Sequence, residues 1–286
     1  MRIPGRLLRG RLLRRYQRFL MDLRLADGRL VTVHCPNPGS MEGCLEPDAL
    51  VLASPALGAQ RRLAWTAEWI RLSSGVWVGL NTQRANRLAE EALRRGTIAE
   101  LCGWTEVRAE VPYGRGSRVD FLLERPGHVP CHVEVKNATW PAPDGGIGFP
   151  DSVTERGRKH LRELARVVRQ GGRAALLFLV NRGDGSFVRP AVEHDPAYAR
   201  ELVRAARAGV RLLARRVRIA PPEATVAEAV PIRLPWRRGW VPSSDLPGLP
   251  AAADCTARPL PVQGGLRVRR PTPRRGPRPA RSGTGR

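Results

Sequence analysis

The segment Ser117-Arg118-Val119-Asp120-Phe121-Leu122-Leu123-Glu124 is followed, across Arg125-Pro126-Gly127, by Cys131-His132-Val133-Glu134-Val135-Lys136-Asn137. The two runs read as strands of a hairpin. Symmetric pairing about Gly127 sets Asp120 directly opposite Glu134, with Cβ atoms roughly 5 Å apart. Lys136 lies two residues beyond Glu134 and shares its face, whereas Phe121, Leu123, Val133 and Val135 take the opposite face and can pack on a core. Two carboxylates and one ammonium are thereby gathered on one side of an apolar-backed hairpin. Such a trio suits phosphodiester hydrolysis. Asp120 and Glu134 would hold Mg²⁺ or Mn²⁺ through hard oxygen ligands, and Lys136 would orient water or neutralise developing charge. Only two lysines occur in the chain, Lys136 and Lys159, in a background of arginine. An ammonium is a compact point charge and a guanidinium a planar fork, so the choice at 136 is chemically meaningful. The pattern is short, and an exposed hairpin carrying a surface ion pair is the alternative.

The flanking segments add to this nucleus. Upstream, Asn81 or Thr82 can cap a helix running to about Arg95, with Gly96 as its stop. This helix offers Glu90 or Glu91 as a third carboxylate; both could equally be solvated helix charges. Downstream, Ser152 and Glu155 form an S-x-x-E capping box that opens a second helix. Its first turns carry Arg156, Arg158, Lys159 and His160, cations that oppose the helix dipole and would instead meet phosphate, unless they form a merely solvated basic face. Gly171-Gly172 ends that helix, and the apolar run 174–180 reads as a strand buried on both faces. Asp195-Pro196 opens a third helix that ends at Gly209, and a last strand covers 210–219. Strands interleaved with helices define an α/β domain over residues 81–230.

Residues 1–80 have a different period. Phe19, Met21, Leu23 and Leu25 alternate with polar residues, Asp27-Gly28 makes a hairpin turn, and Leu30, Val31 and Val33 return. Strand patterns follow at 49–54, 63–72 and 76–80. About five short strands in this span predict a small OB-like β-barrel, a frame that often binds oligonucleotides.

The chain has 286 residues, 42% hydrophobic and 26% charged, enough for two modest domains with real cores. Its 49 basic residues against 26 acidic ones give a net charge of +23. Residues 231–286, rich in Pro and Arg, are expected to be a disordered tail. The tail supplies +10 of the +23, leaving +13 on the rest, so the basic character belongs to the folded part as well. That excess calls for an anionic partner, with nucleic acid the leading candidate. The longest apolar run is seven residues, too short for a membrane span. The Arg-rich N-terminus is read as a basic first strand in preference to a transit peptide. Five cysteines without a C-x-x-C pair fit reduced thiols in a cytoplasmic protein, and neither a disulfide scaffold nor a zinc site is expected.

Four segments together resemble the sugar fermentation stimulation protein A (SfsA) family: 34–41 (HCPNPGSM), 118–123 (RVDFLL), 133–137 (VEVKN) and 149–160 (FPDSVTERGRKH). The resemblance covers about residues 10–230. It implies an OB-like barrel followed by a PD-(D/E)xK nuclease-like α/β domain. It also implies DNA binding, RNA being a further candidate, and a regulatory role in bacterial sugar (maltose) use. Carried over by motif, the catalytic set is Asp120, Glu134 and Lys136 with Glu91 as the helical acid. Nucleic-acid contacts are expected at Asn37, Gly39, Ser40, Arg84, Asn86, Arg118, Arg156, Arg158, Lys159 and His160. Pro38 and Ser40 stand where the family's N-T-G-R-M loop has Thr and Arg, so this chain lacks that arginine.

Overall fold

A computed structural model describes residues 1–56, 61–114, 116–236 and 239–242. Six strands open the chain: β1 (Leu8–Tyr16), β2 (Leu20–Arg24), β3 (Leu30–His34), β4 (Leu50–Pro55), β5 (Trp65–Arg71) and β6 (Trp77–Gly79). They form one sheet in the order β3-β2-β1-β4-β5-β6, and a parallel bridge from His34 to Thr66 joins β3 to β5 and closes a five-strand barrel. Alternation along these strands sends Leu12, Met21, Leu23, Val33, Val51 and Ile70 inward, where they fill the barrel. The basic N-terminal segment forms β1, the basic first strand that the sequence reading expects. Cys35 and Cys44 are buried in this core, and burial pushes both thiols up to about 11, which keeps them protonated and inert.

The second unit runs α1 (Arg84–Arg94), β7 (Glu106–Tyr113), β8 (Ser117–Glu124), β9 (Cys131–Ala138), β10 (Trp140–Pro141), β11 (Ile147–Phe149), α2 (Glu155–Arg169), β12 (Arg173–Val180), β13 (Val188–Pro190), α3 (Pro196–Arg207), β14 (Arg211–Ala220) and β15 (Glu223–Ala229). Its main sheet has the order β15-β14-β12-β9-β8-β7, with β9, β12 and β14 mutually parallel. β12 is central. Ala175, Leu177 and Leu179 pack into the core that includes α1, while Ala174, Leu176, Phe178 and Val180 pack against α2 and α3. A strand covered on both faces has no polar side to present, which is why its sequence is continuously apolar.

Several boundaries differ from the sequence reading. α2 starts at Glu155 and its cap is Thr154, whose hydroxyl accepts from the Gly157 N–H at 3.0 Å; Ser152 is exposed and lies outside the helix. α1 starts at Arg84, because Asn81 accepts from the Gln83 N–H and Thr82 donates to the Pro36 carbonyl. Past residue 230 the chain adds a hairpin, β16 (Arg233–Trp236) and β17 (Gly239–Pro242). Ile232 and Leu234 are buried beside α3, so the folded part extends beyond the boundary expected at 230. The remainder of the expected tail, 243–286, lies outside the described residues.

The two units share a core and a ladder. Leu52 and Trp69 of the barrel pack in the same cluster as α1, β9 and β12. Gly79 donates to the Asn181 carbonyl and Gly183 to that of Trp77, joining β6 to the end of β12. A Cβ at Gly79 would fall on the Asn181 side chain, so only glycine permits this approach.

Asp195 ties α2 to α3. Buried at 1% exposure, it accepts from the Tyr198 N–H (2.8 Å), the Thr154 N–H (2.9 Å) and Arg158 (2.9 Å). Burial pushes its carboxyl up, but these bonds and the Arg158 charge outweigh that and hold it below the ordinary value. A folded-state value below the unfolded one, about 4, stabilises the protein above that pH. The contribution is lost as pH falls through the lower folded value. Asp195→Ala should therefore cost about 3 kcal/mol at pH 7, from two lost caps and an unpaired Arg158. Urea denaturation should show that gap shrinking toward pH 3; a gap that is constant with pH would remove the charge from this account.

Candidate active site

Asp120 and Glu134 are brought together by the register that the hairpin predicts. Phe121 pairs with Val133, Leu122 with His132 and Leu123 with Cys131, which continues to Asp120 opposite Glu134. The backbone ladder stops at that point, and the Asp120 carboxylate takes its place, accepting from the Val135 N–H at 2.7 Å. The apolar partners Phe121, Leu123, Val133 and Val135 all enter the core on the α1 side.

On the opposite face, Lys136 Nζ donates to Glu134 Oε1 at 2.6 Å. His160, from the second turn of α2, also bonds Glu134 Oε1 through Nδ1, and its Nε2 accepts from Arg156 Nε at 3.4 Å. That second bond makes Nδ1 the protonated nitrogen in a neutral ring. Asn86, in the first turn of α1, donates to Asp120 Oδ1 at 2.8 Å. Two strands and two helices therefore converge here, each contributing a side chain. Glu134 is 2% exposed, and its second oxygen, Oε2, is buried with no hydrogen-bond partner.

The two carboxyls are driven in opposite directions. Burial, then the Glu134 charge, pushes Asp120 up, against smaller contributions from the Val135 amide, Lys136 and Asn86. Burial also pushes Glu134 up, but the His160 hydrogen bond and the Lys136 charge prevail and hold it below its usual range. Repulsion between the pair, expected from their spacing, is thus the second cause at Asp120; desolvation is the first. Tyr113, at the end of β7, lies in the same field. Burial and then the charges of Glu134, Glu163 and Asp120 push its phenol up, so it is a neutral hydroxyl at the edge of the site.

Among the described residues, no set of three or more His, Cys, Asp or Glu side chains gathers in a metal-holding arrangement. The pair still suits a hard divalent cation. Such ions often take one or two carboxylates and fill their remaining positions with water and phosphate oxygens, and the unpartnered Glu134 Oε2 is a ready ligand.

Not every expected residue reaches this place. Glu91 does not: its oxygens pair with the Met1 amine at 3.0 Å and with Arg95 at 2.8 Å, and the α1 residue at the site is Asn86, one turn and more upstream. Arg84 is turned inward, with Nε and one terminal nitrogen on buried Glu68 at 3.0 and 2.5 Å. Arg158 is held by Asp195. Each guanidinium neutralises a carboxylate that the fold has buried. Arg118 and Arg156 are exposed, and Lys159 is 46% exposed with Glu163 at 4.0 Å. His160 is a partner of Glu134 more than a surface contact. Asn37 is 4% exposed and accepts from the Gly39 N–H at 3.0 Å, while Ser40 is exposed. Sequence reasoning missed Tyr113, since nothing in its local pattern reports what strand pairing places beside it.

The fold and site define a class: an OB barrel joined to a mixed α/β domain that carries an Asp, Glu and Lys cluster on two neighbouring strands, β8 and β9. Residues 13–80 match the family model described as the SfsA N-terminal OB domain, and residues 83–223 match the sugar fermentation stimulation protein RE domain. The chain belongs to the sugar fermentation stimulation protein (SfsA) family. It is 52% identical to the sugar fermentation stimulation protein homolog of Geobacter sulfurreducens over 231 residues, 80% of this chain and 97% of that one. The homolog of Methylobacterium sp. (strain 4-46) is 48% identical over 81% of this chain and 98% of its own length. The solved structure of Pyrococcus furiosus SfsA in complex with Ca²⁺ has the same fold, with a TM-score of 0.72 at 23% identity, covering 81% of this chain and 99% of that one. No described helix is long and apolar enough to cross a membrane.

Proposed function

We propose that this protein binds DNA, with RNA as the alternative substrate, and hydrolyses its phosphodiester backbone with the help of Mg²⁺ or Mn²⁺ held by Asp120 and Glu134. The observation that carries the reading is the buried Glu134: one oxygen is saturated by Lys136 and His160, and the other is left without a partner beside a second carboxylate. Burying an acceptor in that state is costly unless something cationic completes it. A bound divalent cation would lower the pKa of a water and offset charge on the phosphoryl oxygens. The protein's own groups do the positioning. Asn86 and the Val135 amide fix the two oxygens of Asp120, His160 fixes Glu134, and the Lys136 ammonium lies where a phosphate oxygen would approach. Exposed Arg118 and Arg156, with Lys159, supply non-specific attraction for the flanking backbone. The OB barrel, and the Ca²⁺ in the solved structure of Pyrococcus furiosus SfsA, support both halves of the reading. A non-catalytic DNA-binding regulator of sugar use is the second reading, favoured by the stimulation of sugar fermentation in the family's name.

Metal binding tests the site directly. A ligand that binds only the folded state raises stability in proportion to the logarithm of its concentration. Millimolar Mg²⁺ or Mn²⁺ should raise the melting temperature by a few degrees, and Asp120→Asn should abolish that rise. Calorimetry that detects no Asp120-dependent binding, with or without DNA, would refute the metal site.

A further inference from the structure

We propose that the cavity at the junction of the barrel and the α/β domain holds one nucleobase of the bound strand, next to the phosphate at the Asp120–Glu134–Lys136 site. This deepens the nucleic-acid reading and rests on it. The cavity has a volume of about 200 Å³. That is below the roughly 300–1,000 Å³ of pockets for drug-sized ligands, and it is the scale of a single ring system. Half of its lining comes from two of the motifs singled out in the sequence: Asn37, Pro38 and Gly39 of the loop 34–41, and Phe149 and Asp151 of the segment 149–160. Pro38, Trp140 and Phe149 provide apolar and aromatic surface, and Asn137 and Asp151 provide polar groups.

Its position ties it to the chemistry. Asn137 follows Lys136 directly in β9. Thr82, also in the wall, precedes α1, which carries Asn86 to Asp120. Asp151 precedes α2, which carries His160 to Glu134. The cavity therefore sits where the three elements that build the site begin or end. The walls are also built to stay in place. Thr82 donates to the Pro36 carbonyl at 2.8 Å, and Asp151 accepts from the Met41 N–H at 3.4 Å. A Cβ at Gly39 would fall on the Asp151 carboxylate, so glycine is needed there to seat that side chain.

The lining selects a ligand class. Aromatic faces bind the π-face of any base, whereas a carboxylate accepts from an exocyclic amino group. Asn137 holds its own oxygen toward Asn181, from which it accepts at 3.0 Å, leaving its amide N–H groups to donate. An acceptor and a donor in one lining match the hydrogen-bonding edge of any base, the N3–H and a carbonyl of thymine as well as the amino group and N3 of cytosine, so the cavity takes a base without selecting one. A base can enter only if it is unpaired, so the strand is single or locally opened.

The experiment measures affinity of the full chain for single-stranded dC12, dT12 and an abasic 12-mer of equal charge, with EDTA present so that no cleavage occurs. The abasic strand should bind about tenfold more weakly than dC12 or dT12, and the two base-bearing strands within about twofold of each other, with equal salt slopes. Asp151→Ala should narrow the gap between dC12 and the abasic strand while leaving the salt slope unchanged. The wild-type comparison of the abasic strand with dC12 decides the matter even if that variant folds poorly. Binding of the abasic strand within twofold of dC12 would overturn the base pocket and leave the phosphodiester site standing. Deoxycytidine monophosphate competing as well as dC12 would overturn its assignment to a strand. Absence of binding to every strand and to duplex DNA would overturn both this inference and the reading it rests on.

Discussion

Asp120→Asn and Lys136→Ala should each reduce metal-dependent cleavage of nucleic acid below detection without abolishing metal-free binding, which for Asp120→Asn should stay at or above the wild-type level. Asparagine nearly preserves the shape of Asp120 and can still accept from the Val135 N–H, but it removes one of the two anionic ligands. Removing an anion that faces phosphate cannot weaken electrostatic attraction, so affinity should hold or rise. Lys136→Ala removes the ammonium from Glu134, whose first oxygen keeps only its bond from His160. Loss of a positioned charge at a developing phosphoryl anion typically costs about 10²–10³ in rate. The assay is release of labelled fragments in Mg²⁺ or Mn²⁺, run beside a gel-shift titration in EDTA. Metal-dependent binding without cleavage in the wild type would place the regulatory reading ahead. Cleavage that survives Asp120→Asn would move the reaction to another site.

Arg84→Ala should destabilise the protein by about 3–5 kcal/mol without changing the DNA affinity of the molecules that remain folded. The reason lies in Glu68, whose side chain is fully buried at the joint between barrel and α/β domain. It accepts from Ser54 (2.7 Å), Asn81 (3.1 Å) and twice from Arg84. Without the guanidinium, a buried carboxylate would be left with two neutral donors. Replacing the pair together, as Glu68→Met with Arg84→Met, should recover much of the loss, because a well-packed apolar pair leaves no orphaned charge. Urea denaturation of the single and double variants tests the stability. Unaltered stability with weaker, less salt-sensitive DNA binding would return Arg84 to the role of phosphate contact that its sequence position suggests.

Much of this arrangement is legible along the chain because it depends on short-range periodicity. The hairpin about Gly127 needs only a turn and a period of two to set Asp120 against Glu134 and Lys136 beside them, and the observed register agrees. The continuous apolar run 174–180 announces a central strand, and Asp195-Pro196 a helix start, because burial on two faces and helix capping are local demands on residue type. Alternation in the first 80 residues likewise announces a barrel.

What the chain alone leaves open is the destination of long side chains. An arginine at a helix start reads as a phosphate contact, yet Arg84 and Arg158 each reach a buried acid that is distant in sequence, Glu68 and Asp195. Glu91 and Asn86 sit on one helix, and only the packing angle of α1 on the sheet turns Asn86 to Asp120 and Glu91 to Met1 and Arg95. The burial of Ile232 and Leu234, beyond where composition suggests that folding stops, depends on a hydrophobic face of α3 that needed a cover. Local pattern determined which residue types share a strand or helix face; the closure of barrel on sheet decided which charges meet, because burying an ion leaves it no partner but the one the fold brings to it.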